Sequence, residues 1–264
     1  MVGYGRKTRG VNGRKSAAWN SPPYLKTNLP PPLTFYTFMD ILSTKVIMYN
    51  PDEMKPTPTN VMLDIETLGT APGSVITSIG AVKFGNGKIL DRFFIRIDLQ
   101  SCLTAGLKMD AETVLWWLRQ PEASRGMLTL PGIPLGSALL DFRQWVSDPK
   151  AEIWGNGATF DNVLLAGAYN AATITRPWSN FGDRCYRTVK NAHRDLPIDS
   201  FRIGTHHNAV DDAESQALHL MAIWDREDRQ RRALALLTDL VAVPPAIREE
   251  VDDLIAKAAK ILGN

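Results

Sequence analysis

Asn60-Val61-Met62-Leu63-Asp64-Ile65-Glu66-Thr67-Leu68-Gly69 is the stretch from which the rest of the chain can be read. Val61, Leu63 and Ile65 alternate with Met62, Asp64 and Glu66, a period of two that predicts a strand ending in a glycine-containing turn. Asp64 and Glu66 therefore leave the strand on one face, about 7 Å apart along the backbone. Carboxylates that close repel each other and are costly beside apolar neighbours unless a cation sits between them. A hard divalent metal meets that need. An exposed acidic strand end is the alternative, and a D-x-E triplet alone does not separate the two.

Working outward, Val75 to Phe84 reads as a second strand and Ile89 to Ile97 as a third, with Gly85-Asn86-Gly87 as the hairpin turn between them. Three strands joined by tight turns predict an antiparallel meander. Helices are expected over Ala111–Gln120, from Pro121 onward, and over Leu135–Val146. Ala151 to Trp154 reads as a short strand, followed by a helix from Thr159 to Tyr169, a Pro/Trp loop, and a helix from Arg184 to His193. A last domain helix from Ala209 to Arg226 carries Ala213, Ala217, Leu220 and Trp224 on one side. Strands followed by helices around one further strand give an α/β layered fold with a mixed sheet.

Flanking segments differ in character. Residues 1–57 are rich in Gly, Ser, Asn and Pro, and the first 50 hold seven Lys/Arg against the single acid Asp40. The remainder holds 23 basic and 27 acidic residues, so a mildly acidic body follows a basic, Pro/Gly-rich arm expected to be disordered. Such an arm could add non-specific phosphate affinity. A tail without function, or sequence upstream of a start at Met48 or Met54, competes with that reading, and the acid-poor composition also fits a transit peptide loosely. The expected division is arm 1–57, domain 58–232 and a helical appendage 233–264. In the appendage, Ile247, Val251, Leu254, Ile255, Ala258, Ile261 and Leu262 form an apolar stripe behind Pro244-Pro245. Docking on the domain is the expected use of that stripe, and a dimer or partner helix is the alternative.

A hydrophobic content of 44% and a charged content of 22% suit a globular core that needs no metal or disulfide staple. Cys102 and Cys185 have no Cys or His neighbour at zinc spacing and read as reduced, buried and structural, which fits a cytoplasmic setting. No apolar run approaches the roughly 20 residues that span a bilayer, so no membrane partner is expected.

Two more stretches carry chemistry. Gly155-Asn156-Gly157-Ala158-Thr159-Phe160-Asp161 puts a carboxylate in the first turn of a helix, where free N–H groups favour an anion, although an Asp there often only caps. Thr205-His206-His207-Asn208-Ala209-Val210-Asp211-Asp212-Ala213 puts histidines in a loop ahead of a helix and carboxylates in its first turn.

The order D-x-E, Asn-x-x-x-Phe-Asp, His-x-Ala-x-x-Asp-Ala resembles the DnaQ-like 3′→5′ exonucleases, the DEDDh branch of the ribonuclease H-like superfamily. The resemblance covers roughly residues 58–226. Val114-Leu115-Trp116-Trp117-Leu118 and Asp183-Arg184-Cys185-Tyr186-Arg187-Thr188 look most like phage and bacterial proteins labelled exonuclease VIII-like or exoribonuclease. It implies a ribonuclease H-like mixed five-stranded sheet flanked by helices. It also implies that Asp64, Glu66, Asp161 and Asp212 hold two Mg²⁺ or Mn²⁺ ions, that His207 is the general base, and that the substrate is the 3′ end of single-stranded DNA or RNA. The family spacing of five to the terminal Asp selects His207 with Asp212, leaving His206 as a structural or substrate-side residue and Asp211 as a solvated one. A homodimer is a further implication.

Phosphodiester hydrolysis asks for such a set on chemical grounds. Two metals about 3.5–4 Å apart activate a water and stabilise the leaving 3′-oxygen, and a histidine near neutrality takes the water's proton. For the substrate, the resemblance implicates Thr67, Leu68 and Gly69, with Leu68 as a wedge against the terminal base and the Thr67 hydroxyl or N–H on the 3′ end. Phe160 and the tryptophans are stacking candidates, with Trp117 read rather as core. Asn156 organises the Asp161 loop or touches substrate. A catalytically silent binding module and a proofreading subunit docked on a polymerase are the competing functions. The first would show the loss of a metal carboxylate, and all four are present.

Overall fold

The computed structural model describes residues 59–241 and 252–262. The arm expected over 1–57, and Ile247 and Val251 of the terminal stripe, lie outside the described residues. Five strands are formed: β1 Asn60–Thr67, β2 Ile76–Gly85, β3 Lys88–Arg96, β4 Glu152–Gly155 and β5 Asp183–Cys185. They make one sheet in the order β3-β2-β1-β4-β5. β1 runs antiparallel to β2 and parallel to β4, and β5 joins β4 in parallel. The expected meander is present, and its two-residue turn has φ of 50° at Asn86 and 72° at Gly87, the left-handed pair that a tight hairpin uses.

Helices α1 Leu99–Thr104, α2 Ala111–Leu118 and α3 Glu122–Gly126 follow β3. Side-chain caps start the first two: Asp98 accepts from the Ser101 N–H at 2.7 Å and Asp110 from the Thr113 N–H at 2.9 Å. Then come α4 Leu135–Val146, α5 Asp161–Ala171, α6 Tyr186–Ala192, α7 Ala209–Val241 and α8 Asp252–Leu262. The period of two in β1 divides the helices between two layers. Val61, Leu63 and Ile65 point into a core shared with Leu139 and Phe142 of α4 and Leu165 and Tyr169 of α5. Met62 points the other way, into a core with Tyr186 of α6 and Ala213, Ala217 and Leu220 of α7. Each large apolar side chain buried this way stabilises the fold by about 1.5–3 kcal/mol.

Two features of the sheet create a site at one end. Leu63, Gly155 and Cys185 lie in one row across the parallel strands, so the segments that follow β1, β4 and β5 emerge together. Carboxyl ends of parallel strands are where such sheets bind ligands. On the antiparallel side, Gly80 is the cross-strand partner of Asp64. A Cβ on Gly80 would collide with the backbone of Ala209, so its absence lets the first turn of α7 press against the sheet beside Asp64.

Several expected boundaries shift. The helix expected from Arg184 begins at Tyr186, because Asp183, Arg184 and Cys185 extend to pair with β4 as the edge strand. The helix expected from Thr159 begins at Asp161. α7 continues past Arg226 through Arg232 to Val241, so no break separates the domain from the appendage at residue 233, and α8 packs on α7 with Ala258 buried. Cys102 is buried as expected, whereas Cys185 is half-buried at the end of the edge strand; both are free thiols. No helix among the described residues is long and apolar enough to cross a membrane.

Candidate active site

Asp64 and Glu66 leave β1 on the α7 side, as the alternation predicts. Carboxylate oxygens of Asp64, Glu66 and Asp212 lie within 4.8 Å of one another. Asp161, the first residue of α5, is outside that grouping but lines the same cavity of about 210 Å³, together with Asn156, Phe160, Arg187, Lys190, Arg202, His206, His207 and Gln216. The Ile65 N–H is among the backbone donors that act on the Asp161 carboxylate, which ties the start of α5 to the central strand. Asn162, the next residue, donates to the Ile153 carbonyl at 2.9 Å and to Asp183 Oδ1 at 2.8 Å. Those bonds fix α5 against β4 and β5.

Asp212 is held on both oxygens. Arg202 Nη1 donates to Oδ1 at 2.8 Å and the His207 backbone N–H donates to Oδ2 at 2.8 Å. His207 sits at φ 64°, a left-handed backbone that turns its N–H back onto the helix start. Asp211 is not idle: its Oδ2 accepts from the Thr205 N–H at 2.8 Å and so closes the loop that carries both histidines. The His207 ring stands edge-on to Trp116 (5.2 Å between centroids) and Trp117 (6.0 Å), with the His206 ring 3.9 Å away.

Charge is concentrated here. Burial, then the charges of Asp161, Glu66 and Asp212, push the Asp64 carboxyl well above the carboxylate range, against the hydrogen bond from Gln216. Burial, then Asp212 and Asp161, raise Glu66 to about 9. Burial raises Asp161 to about 7, opposed by backbone N–H groups and Arg187. His207 is lowered, mainly by burial and then by His206, with Asp212 opposing. Gln216 Nε2 donates to Asp64 Oδ1 at 2.9 Å, yet its buried Oε1 has no partner. Asp64 and Glu66, raised by burial and by neighbouring carboxylates with no cation acting on either, beside an orphaned amide oxygen that could accept from a coordinated water, fit divalent cations.

Of the residues after the D-x-E motif, Thr67 lines the larger of two neighbouring cavities, whereas Leu68 and Gly69 line neither. A register shift between Glu66 and Thr67 breaks the alternation of β1. Leu68 thus turns into the core, 5% exposed, and lines neither the acidic cavity nor its larger neighbour, so it is not placed as a wedge. The Thr67 hydroxyl donates to the Gly69 carbonyl at 2.7 Å, and the Thr67 carbonyl accepts from Trp117 Nε1 at 2.8 Å. Both groups shape the turn, and Gly69 packs against Ser74 within it. Trp117 is core, 3% exposed, while Trp116 is exposed. The larger cavity, about 750 Å³, is lined by Glu66, Thr67, Thr70, Leu115, Trp116 and Phe160 among others. Asn156 lies beside Lys190, whose Nζ is 3.4 Å from its Oδ1.

Sequence reasoning missed Arg187, Lys190, Arg202 and Gln216. Gln216 had a signal: it is four residues after Asp212 on a helix and so shares its face. Arg187 and Lys190 are three apart on α6, but only the sheet order brings that helix to the acids.

Residues 59–224 match a protein family described as the 3'-5' exoribonuclease Rv2179c-like domain. No curated protein matches the chain. Among solved structures, the chain is similar to exonuclease I at 15% identity and a TM-score of 0.47, over 69% of this chain and 44% of that one. It is similar to the zinc-bound complex of E. coli exonuclease I with single-stranded DNA at 16% identity and a TM-score of 0.46, over 69% and 43%. For E. coli exonuclease I with a dT13 oligonucleotide the values are 15% and 0.45, over 69% and 44%. The chain spans less than half the length of these structures. The mixed five-stranded sheet with flanking helices is the arrangement expected from the sequence.

Proposed function

Because the chain belongs to the 3'-5' exoribonuclease Rv2179c-like domain family, we propose that it removes nucleotides one at a time from the 3′ end of single-stranded RNA by DEDDh-type hydrolysis. The observation that carries this reading is the meeting of Asp64, Glu66 and Asp212 within 4.8 Å while Asp212 is bonded to the backbone of His207. Asp64, Glu66, Asp161 and Asp212 would hold two divalent ions, Mg²⁺ or Mn²⁺. Such ions, when bound, lower the pKa of a coordinated water and offset charge on the leaving oxygen.

The chain's own groups then have distinct tasks. Burial and then His206 lower the pKa of His207, which favours the neutral ring, and that ring accepts the proton of the attacking water. Trp116 and Trp117 flank its ring and limit its orientations. Gln216 orients Asp64, and Arg202 orients Asp212. Phe160 and Trp116 offer aromatic faces to the terminal base in the larger cavity.

The test is digestion of matched single-stranded RNA and DNA, with the released nucleotide identified by mass spectrometry. Nucleoside 5′-monophosphates released faster from RNA support the reading. Faster release from DNA would move the substrate to DNA, and binding without release would favour a silent binding module.

A further inference from the structure

The acidic cavity has a cationic wall that the hydrolysis described above leaves unused. Arg202 is engaged on Asp212, but Arg187 and Lys190, three residues apart on α6, form no ion pair with a carboxylate among the described residues. The turn after β4 makes room for one of them. Gly157 has φ 121°, and a Cβ built there would sit 3.0 Å from the Arg187 guanidinium carbon, so the guanidinium lies directly over that backbone. Lys190 is half-buried, with Nζ 3.4 Å from Asn156 Oδ1 and 5.4 Å from the centre of the Tyr186 ring. Burial and the neighbouring guanidiniums of Arg187 and Arg202 hold its pKa below the usual lysine value. Two like charges brought together against that repulsion suit an anion between them.

Position in the cleft says which anion. Ile65, Glu66 and Phe160 line both cavities, so Glu66 joins the large aromatic-walled space to the smaller one, which the other acids share with Arg187 and Lys190. A terminal base in the first and a scissile phosphate at the acids leave the continuing strand to pass over α6, where Arg187 is exposed to solvent. We propose that Arg187 and Lys190 form a second phosphate subsite, which holds the backbone phosphate on the 5′ side of the scissile one. The proposal rests on the exonuclease reading for the direction of the strand.

The experiment uses a 5′-fluorescent single-stranded RNA in which the second linkage from the 3′ end is a methylphosphonate on a 2′-O-methyl ribose. The control carries a charged phosphodiester on the same sugar. Binding is read by fluorescence anisotropy with the full chain in EDTA, which removes hydrolysis from the measurement. The neutral linkage should weaken wild-type binding on the order of tenfold, as loss of a charge-assisted contact does. The Arg187→Gln/Lys190→Gln variant should bind the control about as weakly as wild type binds the neutral strand, and should be indifferent to the neutral linkage. Its log–log salt slope should fall by about 0.7 per lost contact. Equal penalties in wild type and variant, or no penalty in wild type, would overturn the subsite. The wild-type comparison needs no variant, so a folding defect cannot hide the answer. Should the exonuclease reading itself fail, the unmodified strand would stay intact with Mn²⁺ while the anisotropy result stands separately.

Discussion

The His207 backbone N–H and Asp212 Oδ2 are 2.8 Å apart, so the loop bearing the proposed base and the helix bearing a proposed metal ligand are one unit. The bond spans five residues and starts from a left-handed backbone, φ 64° at His207. His207→Asn tests the base without disturbing this link, since Asn tolerates a left-handed backbone. Its rate should fall about 10²–10⁴-fold, the usual range for losing a general base, while His206→Asn should lose less than about tenfold. Single-turnover rates on labelled RNA check both, and the opposite ranking would move the base to His206.

The same residue sets a pH dependence. A base must be unprotonated, so activity should rise with pH through the His207 pKa. Burial and His206 lower that value, which places the acid limb below the ordinary histidine pKa of about 6.5. A profile of kcat/KM against pH measures it, and the limb should be lost in His207→Asn.

Metal-free protein should show a second pH effect of opposite sense. Asp64, Glu66 and Asp161 have raised pKa values in the folded chain, about 9 for Glu66 and about 7 for Asp161. Each keeps a proton that the unfolded chain has already released above about pH 4. Folding stability in EDTA should therefore fall as pH rises from about 5 toward 9. Thermal unfolding should show a declining Tm, with Mn²⁺ reversing the decline. Asp64→Asn should raise Tm in EDTA, remove most of the Mn²⁺ stabilisation and abolish cleavage.

Gly80 supplies a structural test. A side chain there must push the Ala209 backbone away from the sheet, and Asp212 moves with it. Gly80→Ala should cost about 1–3 kcal/mol, as overpacking does, and should weaken Mn²⁺ binding by calorimetry. A variant with unchanged Tm and unchanged metal affinity would show that α7 does not need this close approach.

The sequence showed some of this and concealed the rest for identifiable reasons. β1 and its two acids were legible because the six alternating residues Val61 to Glu66 and a turn carry the period. Asp161, His207 and Asp212 were legible through their order and spacing, since each stands at the start of a helix or just ahead of one. Leu68 was misplaced because the register shift after Glu66 reverses the face that alternation assigns, and a bulge leaves no mark in residue types. The edge strand Asp183–Cys185 was hidden by its length of three residues and by the helix that follows at once. Arg187 and Lys190 look like a solvated helix face until the parallel pairing of β4 with β5 carries α6 to the acids. The long run of α7 was underestimated because charged residues from Asp225 to Arg232 dilute its apolar side.

The central claim is that the four carboxylates and His207 form a metal-dependent centre acting from the 3′ end. Its most direct test follows a 5′-labelled single-stranded RNA on a denaturing gel, with wild type and Asp64→Asn, each in Mn²⁺ and in EDTA. A ladder shortening from the 3′ end, seen only for wild type and only with Mn²⁺, is the predicted result. An intact strand with folded wild-type protein and Mn²⁺, or equal shortening by Asp64→Asn, would contradict the account.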